Sequence, residues 1–462
     1  MKILQLDSSC WAIIILMVFL TSCDSFVEVD LPKSQLINTT VFEDYATADA
    51  ALTDIYAKIR DKGLLAGTSA GISNKLGNYA DELVAYGTIS NPNWNFYNNN
   101  LLPTTADIAA YWNNTYNQIY AANAVIEGAT NATNLSPNNK NQLKGEALFI
   151  RALLHFYMTN LFGDIPYITD TDYRKNSVVS RMATATVYQH VISDLEVAIP
   201  LLPTKYSSLD RVRPNQYTAK ALLARVYLYS NQYAEAANEA SVVLNETELF
   251  SLLQDPNQVF LLNAKETIWQ LQTANAGQNT DEAAYFIFLS VPPPVVSLNT
   301  LLVNSFASND LRKTKWIKAV PSSTTIWYHA YKYKERDFTA TSKEYSIVFR
   351  LAEQYLIRAE ARAKQGDLIG AKEDLNKIRN RAGLSNTLAI TQAEIVDAIM
   401  QERRWELFTE QGHRFFDLKR NNLLDTILSV SKSGWSTTDR LFPIPQTELI
   451  TNPNLLPQNP GY

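Results

Sequence analysis

Two aromatic stretches, one rich in amides and the other interleaved with lysines, carry the side chains best suited to chemistry in this chain. Trp94, Phe96 and Tyr97 stand among Asn91, Asn93, Asn95, Asn98, Asn99 and Asn100. Flat aromatic rings cover the apolar faces of sugars, while side-chain amides offer a donor and an acceptor to hydroxyl groups. A second stretch interleaves Trp316, Trp327, Tyr328, Tyr331 and Tyr333 with Lys313, Lys315, Lys332 and Lys334. Stacking on nucleic-acid bases uses a similar mixture. A net charge of −5, from 41 basic and 46 acidic residues, supplies no polycationic surface for phosphates. Trp94, Phe96, Tyr97, Asn98, Trp316 and Trp327 are therefore candidate ligand contacts. Aromatics also anchor long loops to a frame, so only a few of them are expected to touch ligand.

Catalytic arrangements are poorly represented. His155, His190, His329 and His413 share no metal-ligand spacing. Glu410, His413 and Asp417 would share a helix face were Gly412 not between them, and a structural ion network explains them better. No phosphate-cradling glycine loop and no Gly-x-Ser-x-Gly elbow occurs. Glu402, Glu406 and Glu410, beside Arg403 and Arg404, read as a charged helix face that locks to a neighbour. Adjacent Asp81 and Glu82 point apart in most conformations, so nothing isolates one carboxyl for general acid work. The expectation is a binding protein that is not an enzyme and needs no metal or cofactor.

The amino terminus specifies a location. The apolar run Trp11–Leu20 is shorter than the roughly 20 residues a spanning helix needs, and suits a secretory leader. It ends in Leu20-Thr21-Ser22-Cys23, small residues followed by a thiol that can carry diacylglycerol. The expectation is a leader over 1–22, lipidation at Cys23 and a tether over 23–40. Cleavage removes Cys10, leaving no second thiol for a disulfide, so the exported chain must rely on its apolar core. Its 462 residues, 46% hydrophobic and 11% aromatic, provide one.

The elements that must position the aromatic loops are mostly helical. Ile108–Thr130 carries one stripe at spacings of three and four, and Asn141–Phe162 is nearly all apolar, hence central, stopping at Gly163. Val187–Leu202 and Thr218–Tyr229 follow. Two distant segments repeat one design: Tyr233, Ala236, Ala240 and Val243 after one turn, and Leu368, Ala371, Leu375 and Ile378 after another, both at offsets 0, 3, 7 and 10. Small residues near the turn admit a partner helix, in the style of tetratricopeptide hairpins, here scattered by long insertions. Ser251–Ser346, with strand-like Thr267–Leu271, and Asn74–Thr105 read as irregular, loop-rich layers; Tyr345–Phe349 reads as a strand.

The blocks Gly145–Ala152 with Asn160–Pro166, Ala219–Tyr229, Phe349–Ala361, Leu375–Arg379 with Arg381–Gly383, Glu402–Leu407 with Gly412–Arg420, Leu441–Pro445 and Gln458–Tyr462 together resemble the SusD/RagB family, in family order. The resemblance implies an all-α framework of four tetratricopeptide-like hairpins with a loop-rich ligand side. It implies one domain over 41–462, an N-terminal part to about 230 and a C-terminal part from about 250. It further implies an outward-facing outer-membrane lipoprotein that binds oligo- or polysaccharide, or in some branches peptide, and passes it to a SusC-like TonB-dependent transporter. A helical lid without glycan preference is the alternative. Ligand contacts in such proteins come from the early loop, here Trp94, Phe96 and Asn98, and from the middle insertion, here Tyr285 and Trp316. Arg151 and Arg404 are expected to neutralise buried carboxylates. Asp24 departs from the pattern, since in some bacteria it retains lipoproteins at the inner membrane.

Overall fold

The computed structural model describes residues 41–88 and 90–462; Cys23, the leader and the tether lie outside the described residues. Helices of eight or more residues are numbered α1–α12. Asp44 caps α1 (Tyr45–Lys62) by accepting from the amides of Ala46 and Thr47, and Ala48, Leu52, Ile55 and Ile59 form its buried stripe. Short α2 (Ile72–Tyr79) is buried along its whole length. Next come α3 (Ala106–Asn131) and α4 (Pro137–Phe162), the latter with Ser136 as N-cap and Pro137 in its first turn. It ends at Gly163, whose φ is 76°. From Gly145 onward every residue of α4 is buried, because α3 covers one side and α5 (Thr184–Leu201) another.

Just before α1, Phe42 lies on Gly128 of α3, where any Cβ would overlap its ring. The pair fixes the point at which the amino-terminal segment joins the frame.

Both hairpins read from the repeat form. α6 (Gln216–Tyr229) packs on α7 (Tyr233–Asn245), and α8 (Leu351–Gln365) on α9 (Leu368–Arg381), with α7 also against α8. Ala236, Ala240 and Ala371 are fully buried where the helices approach. Gly366 turns the second hairpin with φ 89°, a left-handed conformation. α10 (Gln392–Leu407), α11 (His413–Arg420) and α12 (Leu424–Ser431) complete the frame.

The insertion is more ordered than its sequence suggests. Three antiparallel pairs form: β1 (Leu83–Ala85) with β3 (Val296–Leu298), β2 (Thr267–Leu271) with β6 (Ser346–Arg350), and β4 (Ile317–Pro321) with β5 (Ile326–Ala330). This layer has its own core, which includes Phe260, Phe286, Phe306, Trp316, Tyr333 and Phe408. The main core centres on α3–α7 and a smaller one lies among α8, α9 and α10.

A buried ion network fastens the layer to the helices. Arg350 meets Glu406 at 2.5 Å and Glu410 at 2.7 Å, Arg312 meets Asp310 at 2.8 Å and Glu402 at 2.7 Å, and Arg381 pairs with Glu266 and Glu406. The charged face read from the sequence thus locks inward. α10 stops at Leu407, so Glu410 joins this network from the turn beyond it. Arg151 grips Asp194 at 2.7 and 2.6 Å, and Arg404 reaches Asp81 at 2.9 Å, the roles expected of both.

Candidate ligand-binding face

Two of the expected contacts are core residues. Phe96 is 0% exposed, edge-on to Tyr79 and Phe442 with Lys75 over its ring. It sits in the one-turn helix Asn93–Tyr97, whose inward side is Asn93 and Phe96 and whose outer side carries Trp94 and Tyr97. Trp316 is also 0% exposed; its indole N–H donates to the Pro256 carbonyl at 2.9 Å, and Lys332 and Arg381 lie over its ring. These rings are covered by protein and unavailable to a ligand, which corrects the expectation for both.

Contacts tie Trp94, Tyr97, Tyr285 and Trp327 to one stretch, residues 86–97. Gly87, with φ 85°, lets the chain pass Pro294: a Cβ there would lie 2.7 Å from the Pro294 carbonyl oxygen. The Tyr86 amide donates to Val295 at 2.8 Å, and the Asn91 side chain donates back to the Tyr86 carbonyl at 2.7 Å. That clasp sets Tyr86 edge-on to Trp327 of β5, with centroids 5.0 Å apart and planes at 89°. Trp94 is held by its indole N–H on the Thr88 carbonyl at 3.1 Å and by Tyr97, edge-on at 5.7 Å. Lys432 lies 3.9 Å over the Tyr97 ring, donating to the Asn78 carbonyl. Burial lowers its ammonium pKa to about 7.

Tyr285 joins from the insertion. The Asn93 side-chain Nδ2 donates to its hydroxyl at 2.6 Å, and the Asn74 side chain donates to Asn93 Oδ1 at 2.9 Å. Burial raises the Tyr285 hydroxyl to about 12, so it stays protonated. Tyr285, Leu289, Pro294, Val295 and Arg336 line a cleft of about 370 Å³. Trp94, Tyr97, Tyr285 and Trp327 are half-buried and Asn98 is exposed. Sequence reasoning missed Tyr86, whose signal is an aromatic directly before a glycine that opens the amide-rich run.

The ionisable groups elsewhere are engaged structurally. His155 donates from Nδ1 to the Arg151 carbonyl and accepts the Ile168 amide at Nε2; burial lowers it to about 3, so it is neutral. Burial, then Arg225 and Arg403, hold His413 well below the usual imidazole range. Asp81 is bidentate to Arg414, whereas Glu82 turns away to the Thr409 amide. Among the described residues no group of three His, Cys, Asp or Glu is placed to hold a metal ion.

Comparison with known proteins identifies the family of the fold. A family model described as starch-binding and associating with the outer membrane matches residues 26–228, and the SusD family model matches residues 303–439. A SusD-like protein of Formosa agariphila is 28% identical over 427 residues, covering 77% of this chain and 81% of the relative. The starch-binding protein SusD of Bacteroides thetaiotaomicron is 33% identical over 124 residues, 25% of this chain and 21% of that one. A SusD superfamily structure from Bacteroides vulgatus superposes with TM-score 0.80 at 23% identity, covering 92% of this chain and all of the other. A laminarin-binding SusD-like protein gives TM-score 0.78 at 25% identity, covering 90% and 99%. With two SusD models on separate stretches, relatives along its length and the same mostly helical fold, this chain belongs to the SusD/RagB family.

Proposed function

We propose that the protein captures a glycan non-covalently on the face built from Tyr86, Trp94, Tyr97, Asn98, Tyr285 and Trp327, and delivers it to a SusC-like TonB-dependent transporter without cleaving it. The observation that carries this reading is the Tyr86–Trp327 contact, which brings residues 241 positions apart into one aromatic surface beside the Tyr285 cleft. Preformed aromatic faces with a few fixed polar groups suit sugar rings, and modest affinity serves a protein that must release its cargo. The names of the laminarin-binding and starch-binding relatives support the ligand class. Lipidation at Cys23 would hold the capture site at the outer membrane, facing outward, and Cys23→Ala would release it from membranes.

Titration against laminarin, starch and other neutral polysaccharides tests the site. Trp94→Ala combined with Trp327→Ala is expected to weaken binding at least tenfold with an unchanged melting temperature. Wild-type affinity in that variant rejects the assignment. Binding of no glycan together with unchanged transporter assembly would favour a helical lid.

A further inference from the structure

A second ligand-shaped surface lies on the helical side, sharing no residue with the loop face. Helix α3 carries Trp112, Tyr116 and Tyr120 one turn apart, with Asn113 and Asn117 beside them. The chain at 166–179 and the C-terminal segment 448–455 close the other walls, leaving an open groove of about 470 Å³. That volume falls within the range of small-molecule sites.

The groove is built. Trp112 stands edge-on to Phe162 at 5.2 Å and 87°, and lies 5.0 Å from Tyr116. The Tyr116 hydroxyl donates to the Pro166 carbonyl at 2.9 Å, tying the helix to the second wall. The Asn452 amide donates to Val179 at 2.8 Å, tying the second wall to the third. On its other faces α3 engages its amides internally, Asn114 with Lys62 and Asn123 with Ile168. Asn113, Asn117 and Tyr120 instead stand exposed at the groove, and make no side-chain hydrogen bond among the described residues.

We propose that this groove is a second binding site, for a short, neutral oligosaccharide. Tyr116 and Tyr120, four residues and about 6 Å apart along the helix, with Asn113 and Asn117 beside them, offer two successive sugars ring faces and donor–acceptor pairs above a floor that includes buried Trp112. No Lys or Arg lines the groove, and Glu448 is its one carboxylate, which disfavours sulfated or uronic sugars and phosphates. An extended peptide would find no strand edge here for backbone pairing, because the walls are helices and loops. The ring contacts Trp112–Phe162–Phe442–Phe96 run from the floor of the groove to the inward side of the one-turn helix that carries Trp94 and Tyr97.

The test is calorimetric titration of the chain beginning at residue 24 with laminarihexaose, maltohexaose, xylohexaose and mannohexaose. Two binding events per chain are expected for at least one of these. Trp94→Ala with Trp327→Ala should retain one event, and adding Tyr120→Ala with Asn117→Ala should weaken that event at least tenfold. Tyr120 and Asn117 are exposed, so the fold tolerates both changes. A single event abolished by the loop variant overturns the second site. So does residual binding indifferent to Tyr120→Ala and Asn117→Ala, absence of binding by the wild type at millimolar sugar, or a groove variant that alters only co-purification with the transporter. A loop variant that binds like wild type while the groove variant does not would reject the loop assignment and leave the groove standing.

Discussion

Trp316 and Trp327 stand eleven residues apart with opposite fates. Trp316 fills a fully enclosed space among Phe260, Lys332 and Arg381, so Trp316→Ala should cost about 3–5 kcal/mol, read as a lower denaturation midpoint in urea. Trp327→Ala, by contrast, should lower glycan affinity and leave that midpoint nearly unchanged. Composition marked both stretches as aromatic but could not say which rings face in, because a one-residue change of direction separates core from surface. Glu282 makes a separate case. Burial raises its carboxyl from the ordinary range to about 7, the Ser346 hydroxyl donates to one oxygen, and the other has no hydrogen-bond partner among the described residues. The unfolded chain ionises this group near pH 4.5 while the folded chain resists until about 7, so its contribution is intact below 4.5 and is lost as pH rises through 7. Glu282→Gln should therefore raise stability at pH 8 by about 2 kcal/mol, with the gap closing toward pH 4.5. Thermal melts of both proteins across that range check it.

At the scale of elements, helices showed in the sequence and their partners did not. The 3.6-residue periodicity located α3 to α9 because each buries one stripe or is wholly enclosed. β2 and β6 were visible as strands, but their pairing closes a loop of 74 intervening residues, and no local pattern encodes it. α2 reads as loop in the sequence for a different reason. Ser73, Asn74, Lys75 and Asn78 are buried there on polar partners, with Lys75 on Asp107 and Asn78 on Asn74, so its hydropathy contradicts its burial. The clasp at Gly87 is the element that converts a loop into a site. Gly87→Ala must move away from Pro294 or leave its left-handed conformation, either of which shifts Tyr86 from Trp327. The expected result is a loss of glycan affinity several times larger than any change in melting temperature, measured by titration beside differential scanning calorimetry.

Across the whole molecule, the helical frame and the loop layer are separate apolar cores joined by charge. Burial alone would push the Glu406 carboxyl up, yet Arg381, Arg350 and Arg312 overcome it and hold it well below the usual range. Arg350→Met should cost about 3–5 kcal/mol, because it leaves Glu406 to Arg312 and Arg381 and Glu410 to Lys332 alone in a dry interior. Near-UV circular dichroism should then report loosening of the layer around Trp316 before the helical signal falls.

The Phe42 ring seated on Gly128 governs how a pull on the amino terminus enters the fold. Because the ring is wedged against the last turn of a 26-residue helix, tension passes straight into α3 and past the end of α1. A bulkier residue at 128 would slip that wedge, and the chain would then peel from α1 under forces that the native protein withstands.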